Sequence, residues 1–111
     1  MIIAVAGPYS ATTPEQRKIN LDTLNASAAR LLEMGHTPLV GINAALPVLV
    51  QAQVEDIYKA IMDISIAVVA NCDALLLIAE SRGANMERDL LLSKGRPIYY
   101  SLAEVPTITM P

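Results

Sequence analysis

The groups in this sequence best suited to chemistry are two carboxylates, a phenol and a small polar turn. The first carboxylate is Glu87, in the segment Ser81-Arg82-Gly83-Ala84-Asn85-Met86-Glu87. With a helix predicted over 84–94, Glu87 falls in the first turn, where the helix dipole favours an ionised carboxylate. An ionised carboxylate at the mouth of a crevice can act as a nucleophile. It can equally be a surface glutamate that merely complements the dipole. Ser81 and Gly83 precede the same helix. Their backbone N–H groups and the Ser81 hydroxyl suit a phosphate or a ribose hydroxyl, or simply an ordinary turn and N-cap. Tyr9 follows Gly7-Pro8 and can hydrogen-bond Glu87 or stack on a base. Asp63, the second carboxylate, lies in the most apolar predicted helix. It pairs either with Lys59 on a solvated face or with the site. Two carboxylates across a glycosidic bond are the usual machinery of oxocarbenium-like chemistry.

Other chemistries lack their residues. His36 and Cys72 are the only histidine and cysteine, so a metal centre built from them is not expected. Neither a GxGxxG nor a Walker loop is present, so no cofactor is expected. No Ser/His/Asp set can form around a single histidine at the wrong end of a strand. His36 reads as part of a helix C-terminal cap after Gly35, and Cys72 as a small buried apolar residue.

The elements that must position these groups follow from the apolar pattern. Ile2 to Ala6 is a continuous apolar run stopped by Gly7-Pro8, the signature of a buried parallel strand. Residues 14–34 read as a helix, with Thr13 as N-cap, Pro14 at the first position, Gln16 at the capping-box position and Gly35 as its stop. Leu21, Leu24, Ala28 and Leu31 form its stripe. Thr37 to Gly41 is a second strand. Residues 42–52, apolar but interrupted by Pro47, read as a loop with a helical turn. The segment 54–70 is a helix with one stripe of Val54, Ile57, Ile61, Ile64 and Val68. Tyr58, Met62, Ile66 and Val69 widen that stripe. Such a helix is expected to bury two sides, one on the sheet and one on a second subunit. Ala74 to Ala79 is a third strand and Pro97 to Tyr100 a fourth.

Alternating strands and helices imply a three-layer α/β fold of the flavodoxin-like or Rossmann-like kind. Its parallel sheet has four to five strands in the order 2-1-3-4. The topological switch point then lies between strands 1 and 3, and ligands bind there, outside the carboxyl ends. The loops that meet there carry Gly7, Pro8, Tyr9, Ser10, Ser81, Arg82, Gly83, Asn85 and Glu87.

Composition limits the partners. The 111 residues are expected to form one domain over 1–111. With 53% hydrophobic residues, so small a domain carries more apolar surface than it can bury, and a homodimer through helix 54–70 is expected. The net charge of −3 and the absence of a basic run exclude a nucleic-acid polymer. No signal peptide or membrane-length apolar stretch is visible, so a cytoplasmic protein is expected.

Three segments carry a family resemblance. They are Ala4-Val5-Ala6-Gly7-Pro8-Tyr9-Ser10; Asp63 followed ten residues later by Asp73-Ala74-Leu75-Leu76-Leu77; and Ser81 to Glu87 followed by Gly95-Arg96-Pro97-Ile98. In order and spacing the chain resembles the nucleoside 2-deoxyribosyltransferase superfamily, which includes the 2'-deoxynucleoside 5'-phosphate N-hydrolases. The resemblance implies an N-glycosidase acting on a nucleotide or (deoxy)nucleoside through a covalent glycosyl–Glu87 intermediate. It implies that Tyr9 orients Glu87 and that Asp63 assists the leaving base or positions the sugar. Ser81, Gly83 and the Gly7–Ser10 loop would hold the 5' end. It also implies a dimer in which a neighbour completes the site. The chain differs from the characterised transferases in its shorter C-terminal segment and in the charged Arg88-Asp89 after Glu87. The rival expectations are a non-catalytic nucleotide-binding or sensing module on the same fold, and a dimeric interaction protein with no small ligand.

Overall fold

The computed structural model describes residues 1–108; the end of the predicted unassigned tail 101–111 lies outside them. The order is β1 (Ile2–Ala6), α1 (Pro14–Glu33), β2 (Thr37–Leu39), α2 (Gly41–Gln51), α3 (Ile57–Val69), β3 (Ala74–Leu77), α4 (Arg82–Ser93) and β4 (Ile98–Tyr99). A short 3-10 turn follows at Leu102–Glu104. The sheet has four parallel strands in the order β2-β1-β3-β4, as predicted.

The pleat divides the core in two. Ile3 and Val5 of β1 join Ala74 and Leu76 of β3 on one face, packed with Leu24 and Leu31 of α1. Ala4 and Ala6 join Leu75 and Leu77 on the other, packed with Val69 of α3 and Ala84 and Leu91 of α4. Every β3 residue is buried, which explains why this strand reads as an unbroken apolar run rather than an alternation. Cys72 is a free, buried thiol in the second cluster.

The helix ends follow local chemistry. Thr13 caps α1 through its side chain, which accepts from the Gln16 N–H at 3.1 Å. The Gln16 side chain does not fold back to complete a capping box; it donates to Asn20 instead. Both α1 and α4 end on a glycine with positive φ, Gly35 at 93° and Gly95 at 71°. In each case the next residue's N–H returns to a leucine carbonyl of the last turn, His36 to Leu31 and Arg96 to Leu91. His36 thus closes α1 with its backbone. Its ring is buried elsewhere: Nε2 donates to the Pro106 carbonyl at 2.5 Å, and Nδ1 accepts from the terminal amine at 3.2 Å.

Strands β2 and β3 each end two residues earlier than expected, and Gly41 opens a helix instead of closing a strand; α2 and α3 differ more. Residues 41–51 form a full helix despite Pro47. Pro47 sits past the first turn, where it forfeits one backbone bond, and α2 is held by packing along α3. The α3 helix begins at Ile57, capped by the Asp56 side chain, so Val54 lies outside it. Its buried face is Met62, Ser65 and Val69. The expected stripe of Ile57, Ile61, Ile64 and Val68 is only partly covered.

The α2–α3 contact closes on Gly41. A Cβ at that position would lie 2.8 Å from Ser65 Cβ and 2.9 Å from Ser65 Cα. Gly41→Ala is therefore expected to destabilise the protein by about 1–3 kcal/mol. The midpoint of denaturant unfolding measures it, and an unchanged midpoint would mean that α2 slides freely on α3.

Candidate functional site

At the carboxyl ends of β1 and β3 the chain encloses a cavity of about 170 Å³. Its walls come from three places. The loop after β1 supplies Gly7, Pro8, Tyr9 and Ser10. The start of α4 supplies Ser81, Arg82, Gly83, Ala84 and Glu87. The inner face of α3 supplies Tyr58, Ile61, Met62 and Ser65, with Ile42 of α2 beside it. Parallel pairing of Ala6 with Leu77 brings the first two together. The Asn20 side chain donates to the Tyr9 carbonyl at 2.9 Å and ties the first loop down to α1.

Glu87 is 8% exposed. The helix starts at Arg82, two residues earlier than predicted, with Ser81 as N-cap. Glu87 is therefore in the second turn, beyond the reach of the helix terminus. Burial dominates instead and pushes its pKa up to about 7. The sequence reading, in which the dipole keeps Glu87 ionised, is corrected by this placement. Neutral and ionised forms coexist at neutral pH, which is the range in which a carboxyl can serve as acid, base or nucleophile.

The Ser81 hydroxyl accepts from the Ala84 N–H at 3.1 Å while lining the cavity. Tyr9 is half-buried on the opposite loop. Among the described residues no hydrogen bond joins it to Glu87, so the expected orienting bond is not formed.

Asp63 is not part of this cavity. The helical phase that turns Met62, Ser65 and Val69 inward turns Asp63 outward. Its carboxylate accepts from Lys59 Nζ at 2.7 Å, and its side chain is 63% exposed. It borders a shallow outer groove with Ile66, Met86, Asp89 and Leu90. The cavity accordingly holds one carboxylate rather than two. Asn85 does not line it either; its side-chain oxygen is buried elsewhere without a partner among the described residues. No group of three or more His, Cys, Asp or Glu side chains suited to a metal occurs among the described residues.

Sequence reasoning missed the α3 wall. Tyr58 supports Arg82, whose guanidinium lies 5.3 Å from the ring centroid. Arg82 makes no ion pair among the described residues. Ser65 carries a legible signal: with Asp63 it is one of only two polar residues in Ile61–Ala70, and it falls in helical step with Met62 and Val69.

No helix of the described residues is long and apolar enough to cross a membrane. No curated protein matches the chain. A family model described as a domain of unknown function, DUF4406, matches residues 1–100. The sheet, the two loops and α3 all fall within that match, and the chain belongs to the DUF4406 family.

Proposed function

We propose that this protein is an N-glycosidase of the nucleoside 2-deoxyribosyltransferase kind, acting on a nucleotide or deoxynucleoside. The observation that carries the reading is the isolated, buried Glu87 carboxyl in a cavity at the β1/β3 switch point. A Glu87 oxygen attacks C1' of the sugar. The C1'–N bond breaks and its electrons leave with the base, which is then protonated. Water next attacks C1' and gives up its proton to solvent as the C1'–O bond to Glu87 breaks, which returns Glu87 as a carboxylate; the ring nitrogen of a second base in place of water gives transfer. With Asp63 turned to solvent, the base departs toward the open mouth and takes its proton there. The Ser81 hydroxyl, the Ser10 loop and Arg82 suit the anionic 5' end.

The test is release of free base from a panel of deoxynucleoside monophosphates and nucleosides, followed by chromatography. A non-catalytic nucleotide-binding module is the second reading, favoured by the absence of a second carboxylate from the cavity walls. Binding without base release across the panel would select it.

The assembly proposed is a homodimer. Ile57 and Tyr58 at the start of α3 are exposed, and Tyr58 also lines the cavity, so that end of the helix offers an apolar surface to a second copy. Light scattering at micromolar concentration is expected to give twice the 11.9 kDa chain mass. A monomer would remove the proposal.

A further inference from the structure

The loop that forms the first wall of the cavity is not held by its own backbone. No backbone–backbone hydrogen bond reaches Pro8 to Thr12 among the described residues. Two side chains of α1 hold this segment instead. Asn20 Nδ2 donates to the Tyr9 carbonyl at 2.9 Å, and Arg17 Nη1 donates to the Ala11 carbonyl at 2.9 Å. Both bonds are partly buried.

Asn20 is itself oriented. One turn earlier the Gln16 side chain donates to Asn20 Oδ1 at 2.9 Å. With its oxygen so engaged, the amide turns its NH2 group to Tyr9. Inside a helix asparagine is a poorer helix former than alanine, so α1 alone gives no reason for it here. The bond to the loop supplies one.

Pro8, Tyr9 and Ser10 line the cavity, so the bond that fixes the Tyr9 carbonyl fixes that wall. A ligand that needs the wall in place binds only the closed loop. Its apparent affinity then falls in proportion to the closed fraction.

We infer that Asn20 is a positioning residue: acting through the Tyr9 carbonyl, it holds the loop after β1 against the cavity, so that the wall meeting the ligand's 5' end is set before the ligand arrives. The inference rests on the sugar-phosphate ligand proposed above, and it names the residue that pre-organises its site. Arg17 shares the task, but removing its charge would itself weaken the binding of an anion. The test is therefore made at the neutral Asn20.

The experiment is calorimetric titration of wild type, Asn20→Ala and Asn20→Leu with 2-deoxyribose 5-phosphate. It is joined by thermal melting and by brief chymotrypsin digestion, in which the cut after Tyr9 is followed by mass. Alanine is the better helix former and leucine keeps the bulk, so the pair separates the lost bond from effects of helix propensity or lost volume. Both variants are expected to bind about fivefold more weakly than wild type, the scale of one neutral hydrogen bond. The cut after Tyr9 is expected to quicken in both, and to slow in all three proteins when the sugar phosphate saturates them. A merely structural asparagine would move the melting temperature and leave the affinity and the Tyr9 cut alone. Unchanged affinity or unchanged cutting in a folded variant overturns the inference and leaves the Glu87 reading standing. So does a wild type that binds the sugar phosphate with no slowing of the Tyr9 cut, a result that needs no variant to fold. If wild type binds no sugar phosphate, the nucleotide reading falls and takes this inference with it.

Discussion

Glu87→Gln is expected to melt above wild type at pH 8 and level with it at pH 4. The cause is the burial that raises the Glu87 pKa from 4.5 to about 7. Below pH 4.5 the carboxyl is protonated in folded and unfolded chains alike, and it costs nothing. Between 4.5 and 7 the unfolded chain ionises while the folded one stays neutral. Stability therefore falls as pH rises, by up to about 1.4 kcal/mol per unit. Above pH 7 the full cost is present, about 3 kcal/mol for a shift of this size. This is the reverse of a salt-bridged carboxylate, which stabilises at high pH. Glutamine keeps the shape of the side chain and removes the charge, so its stability does not fall through this window. For a chain of this length the difference at pH 8 corresponds to roughly 10 °C in Tm. Melting curves at half-unit pH steps measure it. Parallel profiles for the two proteins would show that Glu87 is solvated in the folded state.

The same substitution is expected to cut base release on the order of 10³-fold or more while leaving ligand binding close to wild type. The amide fills the same space but offers no anionic oxygen to C1'. Wild-type kcat/KM is expected to rise with pH and level off above an apparent pKa near the Glu87 value of about 7, because only the ionised form is nucleophilic. Cleavage that survives in Glu87→Gln would reject the nucleophile. Taken with the melting profile, the proposed mechanism sets stability against reactivity in one group: the ionised form, which it requires for attack, is the form that destabilises the fold. Such opposition is common where a site keeps a charge in an apolar setting.

The sequence by itself determined the layers and the order of the strands. Ile2 to Ala6 and Ala74 to Leu77 are apolar without a break, so both must lie in the interior of a sheet covered on two faces. Parallel strands need crossovers of one hand, and those facts bring the Gly7 loop beside the Ser81 loop. Tyr9, Ser81 and Glu87 line one cavity for that reason. The helix stops at Gly35 and Gly95 were legible because local backbone geometry, not distant packing, sets them.

Tertiary structure alone decided the rest. The segment that became α3 is apolar over most of its circumference, so its pattern gives no phase. Only contact with α2 and the sheet turned Met62 and Ser65 inward and Asp63 to solvent. Pro47 obscured α2 because a local breaker is visible in sequence, whereas the neighbouring helix that outweighs it is not. The charge state of Glu87 was hidden for the same reason. A helix dipole can be read from position, but burial is set by folding, which brings residues far apart in sequence, such as Tyr9, Ile42 and Met62, to line one cavity with Glu87.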